Sequence, residues 1–164
     1  EGLTAGLRKL AAPAEMVPVV KRKEPSAPPA FCFARTGSYE IEVAGKKLVG
    51  SAQRRQASAF LQHGSILLGA DRVRLRQLFP REGDPLAGMT TLEDALGRRP
   101  SFEQVVEVLT AGFSETHGLN LVPGGLTRDE EALIERLVRD KYATDAWTAR
   151  GQAVTDLSAA APTR

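Results

Sequence analysis

The sequence predicts an α+β fold, a mixed or antiparallel sheet flanked by helices, and three observations carry that reading. Tyr39, Ile41 and Val43 alternate with Glu40 and Glu42 ahead of Ala44-Gly45-Lys46, which is the period-2 pattern and turn chemistry of a hairpin. The apolar run from Ala59 to Leu68 is long enough to form a further strand across the sheet. After Gly69 the segments open instead with helix-capping pairs, Thr90 with Glu93, Ser101 with Gln104, and Thr127 with Glu130.

In chain order, Leu3, Leu7 and Leu10 recur at helical spacing, so the first dozen residues read as a short amphipathic helix that ends near Pro13. Prolines at 13, 18, 25, 28 and 29, with the charged run Lys21-Arg22-Lys23-Glu24 between them, describe an extended connector. The first strand of the hairpin follows, then a return strand from Lys47 to Ala52 and the strand within 59–68. Val105, Leu109 and Phe113 form one face of a helix that starts after Ser101 and runs to about Thr116. Leu119 to Val122 reads as a short edge strand before Pro123-Gly124-Gly125. The helix from Arg128 buries Leu133 and Leu137 and reaches Lys141-Tyr142. Residues 1–150 are therefore expected to form one domain and 151–164, which lack periodicity, a disordered tail.

Composition excludes several classes of function. The 164 residues are 42% hydrophobic and 26% charged, which fits a folded globular chain rather than a fibrous or disordered one. A net charge of +2 gives no global field for nucleic acid, and aromatics at 5% are not interleaved with the arginines. A single cysteine makes no internal disulfide and no four-ligand zinc cluster, so a reducing cytoplasm fits and no metal is expected. No apolar run approaches the roughly 18 residues of a membrane helix. The chain opens at Glu1 directly into a helical pattern, which reads as a fragment.

Reactive groups concentrate between Cys32 and His63. Cys32 lies between Phe31 and Phe33, where a lone cysteine is by itself most simply a small buried hydrophobe. Lys46 and Lys47 follow the hairpin turn, a place for exposed lysines. Gly50-Ser51-Ala52 weakens a strand unless a ligand or another backbone approaches it, and His63-Gly64-Ser65 repeats that signature.

Cys32-Phe33, Tyr39-Glu40, the run from Gly45 to Arg55, and Leu61-Gln62-His63-Gly64-Ser65 through Leu68 together resemble the middle of the biotin/lipoate-protein ligase catalytic-domain family. The chain is most similar to the cysteine-dependent octanoyltransferases of lipoate assembly, whose C-terminal end is echoed by Lys141-Tyr142-Ala143-Thr144-Asp145-Ala146-Trp147. The resemblance implies transfer of an octanoyl group from acyl carrier protein to a lysine of a lipoyl-domain protein or glycine-cleavage H protein, without ATP or another cofactor. It maps the family's cysteine onto Cys32 and its pocket lysine onto Lys47. Gly50, Ser51, Ala52 and Gln53 fall on the acyl-binding strand, and His63 and Gly64 on the pair that shapes the pocket floor. Of the two lysines, strand alternation sends one inward, and the resemblance makes it Lys47. The resemblance also implies an incomplete domain, because the family's upstream half, with its Arg-Arg-x-Thr-Gly-Gly wall, has no counterpart in these residues.

Two other functions compete. An ATP-dependent lipoate ligase of the same family needs no cysteine, and Cys32 argues against it. A non-catalytic acyl- or carrier-binding remnant would use Arg54, Arg55, Arg72, Arg74 and Arg76 to dock an acidic carrier.

Overall fold

The structure is a computed structural model that describes residues 1–19, 37–57, 59–80 and 87–152. The chain divides into two compact units, Glu1–Leu121 and Val122–Arg164. The first unit contains a four-stranded antiparallel meander of β1 (Glu15–Met16), β2 (Ile41–Val43), β3 (Lys46–Arg55) and β4 (Phe60–Ile66), paired in that order. The α+β class and the central hairpin of the sequence reading are therefore present; β3 extends beyond the expected return strand of 47–52, and β4 lies within the expected 59–68.

The β2–β3 turn is built from Ala44 (φ 51°) and Gly45 (φ 73°). Two successive left-handed residues match the twist of a tight hairpin, and glycine adopts that conformation without a Cβ penalty. Ile41, Val43, Leu48 and Val49 from this hairpin join Leu7, Ala12, Ala14, Leu92 and Val105 in the core. β1 falls in the stretch read as a connector; two residues between prolines offer no alternation to detect.

Against the core, α1 (Gly2–Lys9) crosses α4 (Phe102–His117) on small residues. A Cβ on Gly112 would sit 2.4 Å from the Gly6 amide nitrogen and 2.6 Å from the Gly2 carbonyl oxygen. A Cβ on Gly6 would sit 2.7 Å from the Val108 carbonyl oxygen. Main chain thus meets main chain, and Lys9 pairs with Glu115 at 2.8 Å at the edge of the crossing.

Two expected features shift. The capping box of α3 (Leu92–Leu96) is Thr91 with Asp94, one residue later than Thr90 with Glu93. Thr90 is occupied elsewhere, since its N–H donates to the Lys47 carbonyl at 2.9 Å and keeps it in extended pairing. The edge strand expected at 119–122 is absent: Leu119 N–H turns back to the Ser114 carbonyl, closing α4 behind Gly118 (φ 64°). A further helix, α2 (Arg72–Leu78), has no counterpart in the sequence reading, because Val73 and Leu75 alternate with Arg72, Arg74 and Arg76 in a strand-like pattern; Asp71 caps it by accepting the Arg74 N–H. The box of Ser101 with Gln104 caps α4 as read.

In the second unit, Thr127 and Glu130 cap α5 (Arg128–Leu137), which continues into a π-helical turn, Val138–Tyr142, before α6 (Asp145–Thr148). The Lys141 ammonium lies 4.5 Å from the Trp147 ring centroid and 5.0 Å from that of Tyr142, and the two rings meet edge to face. This packing gives the echoed Lys141–Trp147 segment a local structural purpose. The expected tail lies outside the described residues from 153 onward. No helix among the described residues is long and apolar enough to cross a membrane.

Candidate active site

The site is built at the turn end of β3. Leu48 and Val49 are buried, and so is Lys47, at 5% exposure, while Lys46 stays in solvent. Three successive buried positions mean that both faces of the strand are covered here, which a single-sided sheet would not do. Pairing is irregular at this point: Ile41 faces Val49 and Glu42 faces Lys47, so Leu48 is the extra residue of a bulge. The Lys47 main chain is clasped by 88–90, with its N–H donating to the Gly88 carbonyl at 2.9 Å and its carbonyl accepting the Thr90 N–H at 2.9 Å.

A buried ammonium requires a charge partner and hydrogen-bond acceptors. Glu40 supplies both, its Oε1 standing 2.7 Å from the Lys47 Nζ with side chains 14% and 6% exposed. The second carboxylate oxygen accepts the Gly37 N–H. Glu40 is held in turn through its main chain, whose carbonyl accepts the Val17 N–H at 2.8 Å, while the Tyr39 N–H donates to the Val17 carbonyl at 2.9 Å. Tyr39 has φ 64°, a left-handed conformation uncommon for a side chain of its size. These two bonds hold that turn in place.

From Val49 outward the β3–β4 pairing is regular, and residues opposite each other share a face. Ser51 therefore shares one face with Gly64, Gln53 and Gln62, whereas Gly50, Ala52, His63 and Ser65 share the other. The pleat divides the candidate acyl-binding strand: Gly50 and Ala52 point with His63, and Ser51 and Gln53 point away from them. Gln53 donates its amide across to the Gln62 side-chain oxygen at 3.0 Å and accepts Arg55 Nε at 2.6 Å. Gly64 has a steric reason to be glycine, since a Cβ there would lie 2.5 Å from the Gly50 carbonyl oxygen. His63, Ser51, Ala52 and Gln53 are all exposed, and Gly50 is half-buried.

The lipoyl protein ligase A/B catalytic domain family matches residues 1–114, a span that contains the whole sheet and the Lys47–Glu40 pair. The chain belongs to this family. Within the lipoyl protein ligase A/B family, it is 39% identical to octanoyltransferase LipM of Symbiobacterium thermophilum over 91% of this chain and 59% of that protein. It is 40% identical to octanoyltransferase LipM of Kyrpidia tusciae, covering 92% and 59% of the two chains. A crystal structure of lipoate-protein ligase A bound with ATP superposes with a TM-score of 0.70 at 26% identity, over 90% of this chain and 55% of that one. A bi-partite lipoate protein ligase of Thermoplasma acidophilum matches in fold, with a TM-score of 0.70 at 21% identity over 96% and 57% of the chains. The chain thus spans 59% of the length of these two octanoyltransferases.

Of the residues singled out from sequence, Cys32 lies outside the described residues. Lys47 stands at the buried end of β3, and the others line the two faces of the β3–β4 hairpin beyond it. Glu40 was passed over as the polar half of a strand alternation. A sequence signal for it exists in retrospect: an acidic residue beside a turn, and a lysine directed inward by the next strand, call for each other. The clasp at 88–90 carries no such signal, because it depends on a non-local backbone pairing.

Proposed function

We propose that the chain carries the acyl-transfer centre of an octanoyltransferase of lipoate assembly. The observation that supports this most is the similarity to the LipM octanoyltransferases, 39–40% identity over nine-tenths of the chain, joined to a sequence whose one cysteine is Cys32. On this reading the Cys32 thiolate attacks the carbonyl of an octanoyl thioester on acyl carrier protein, and the carrier's thiol leaves with a proton. A lysine amine of a lipoyl domain or H protein then attacks the Cys32 thioester, forming the amide and returning the Cys32 thiol. Converting a thioester to an amide requires no ATP. Lys47 supplies a fixed positive charge for the acyl carbonyl oxygen as negative charge builds on it. Gly50, Ala52 and His63, on one face of the hairpin, form the surface for the acyl chain, with Ser51, Gln53 and Gly64 backing it. The setting is the cytoplasm, where a catalytic thiol stays reduced.

The competing ATP-dependent ligase draws support from the structural likeness to a lipoate-protein ligase A bound with ATP. One experiment separates them. The protein, at its full natural length, is mixed either with octanoyl acyl carrier protein alone or with octanoate and ATP, and its intact mass is recorded. The proposal expects one octanoyl group in the first mixture, absent from the Cys32→Ser variant. Acceptor octanoylation that needs ATP and survives Cys32→Ser would overturn it in favour of the ligase.

A further inference from the structure

We propose that Glu40 is a positioning residue for acyl transfer, holding the Lys47 ammonium in one place so that its charge meets the reacting carbonyl. This inference rests on the role given to Lys47 above. A lysine has a flexible four-carbon stem and three rotatable donors, so an isolated ammonium is a poorly located charge. Here the freedom is removed at both ends. The main chain is fixed by hydrogen bonds to Gly88 and Thr90, and Nζ is held 2.7 Å from Glu40 Oε1 where both side chains are largely excluded from water.

Glu40 is itself fixed at every polar group named so far. Its second oxygen takes the Gly37 N–H, its carbonyl takes the Val17 N–H, and the left-handed Tyr39 beside it is tied back to Val17. A turn held in an uncommon conformation by two long-range bonds, with a carboxylate directed at a buried ammonium, is more than a charge pair needs. It also ties Lys47 to the backbone at Gly37, five positions after Cys32 in the chain. A carboxylate placed merely for neutrality would serve the fold alike whether or not Lys47 acts in transfer.

The test is a double-mutant cycle on octanoyl transfer with the full natural protein, using Glu40→Gln, Glu40→Ala, Lys47→Ala and the Glu40→Ala/Lys47→Ala pair, each checked by thermal melting. Glu40→Gln keeps the size of the side chain and an acceptor for Gly37, so it is the variant expected to fold. Lys47→Ala is expected to lower kcat by on the order of a hundredfold. Glu40→Gln is expected to lower kcat by about tenfold while KM for the acyl carrier moves less than about twofold, since a positioning defect falls on the transition state. Once Lys47 is alanine, adding Glu40→Ala is expected to change kcat by less than about twofold. If Lys47→Ala is slow but Glu40→Gln transfers at the wild-type rate, or Glu40→Ala costs the same factor in both backgrounds, Glu40 does not position Lys47. If Lys47→Ala itself transfers at the wild-type rate, the assigned role of Lys47 fails, and the positioning role falls with it.

Discussion

The two ends of β3 obey different rules, although they belong to one strand. At the turn end, Lys47, Leu48 and Val49 are buried on both faces; the Lys47 ammonium is met by Glu40, and its main chain is held by a backbone clasp. At the far end, Ser51 to Arg55 and their partners Phe60 to Gly64 are exposed on both faces in a regular ladder. The difference teaches where precision resides. A buried ammonium fixes the geometry around it because any loss of partner is costly, whereas the open end is specified by its backbone ladder and tolerates changes in side chain.

The largest effect on stability is expected at the buried end. Removing one partner of a buried ion pair leaves the other charge uncompensated, so Lys47→Ala should destabilise the protein by about 3 kcal/mol in urea unfolding. Arg54→Ala, at the open end of the same strand, should cost less than about 0.5 kcal/mol. Equal losses at both positions would erase the distinction between the ends.

A smaller effect sharpens the comparison by showing where the open end is intolerant. Gly64→Ala places a methyl 2.5 Å from the Gly50 carbonyl oxygen. The strands must part there, at a cost of about 1–2 kcal/mol. Gly64→Ala melting at the wild-type temperature would mean that the β3–β4 spacing is looser than the geometry requires.

The smallest effect is a pH dependence to which the clasped end contributes. Burial raises the Asp94 carboxyl, but side-chain hydrogen bonds from Arg72 and Thr91 outweigh it and hold the group below its ordinary value. A carboxyl depressed in the folded state contributes stability in full above its unfolded value, near pH 4, and loses it as pH falls through the folded value. Stability should therefore decline below about pH 4, in part through the Thr91–Asp94 cap that follows the Gly88–Thr90 clasp. Unfolding midpoints of Asp94→Asn should show a shallower decline than wild type over that range, and parallel curves would assign the decline to other carboxylates.

Sequence made the fold legible where the pattern was local. The Ala44-Gly45 turn, the β2–β3 hairpin and the boxes at Ser101 and Thr127 each depend on residues a few positions apart. What stayed hidden depends on distant backbone. Thr91 displaces Thr90 as the cap because Thr90 is engaged by Lys47, and β1 exists through pairing with β2 rather than through its own two residues. The α1–α4 crossing was missed for the same reason: Gly2, Gly6 and Gly112 reveal their purpose once the helices meet. At the candidate site, the inward placement of Lys47 was legible through the family resemblance. The division of the small-residue strand between two faces came from the register, and Glu40 from the contact it makes.

The comparison of neighbouring lysines tests the account most directly. Lys46 and Lys47 share composition, charge and strand, and differ in that Lys46 is exposed while Lys47 is buried against Glu40. The rate of octanoyl transfer from acyl carrier protein to a lipoyl domain should fall by on the order of a hundredfold in Lys47→Ala and by less than about twofold in Lys46→Ala. Equal losses in the two variants, or a loss confined to Lys46→Ala, would contradict the claim that the buried end of β3 is where the chain acts.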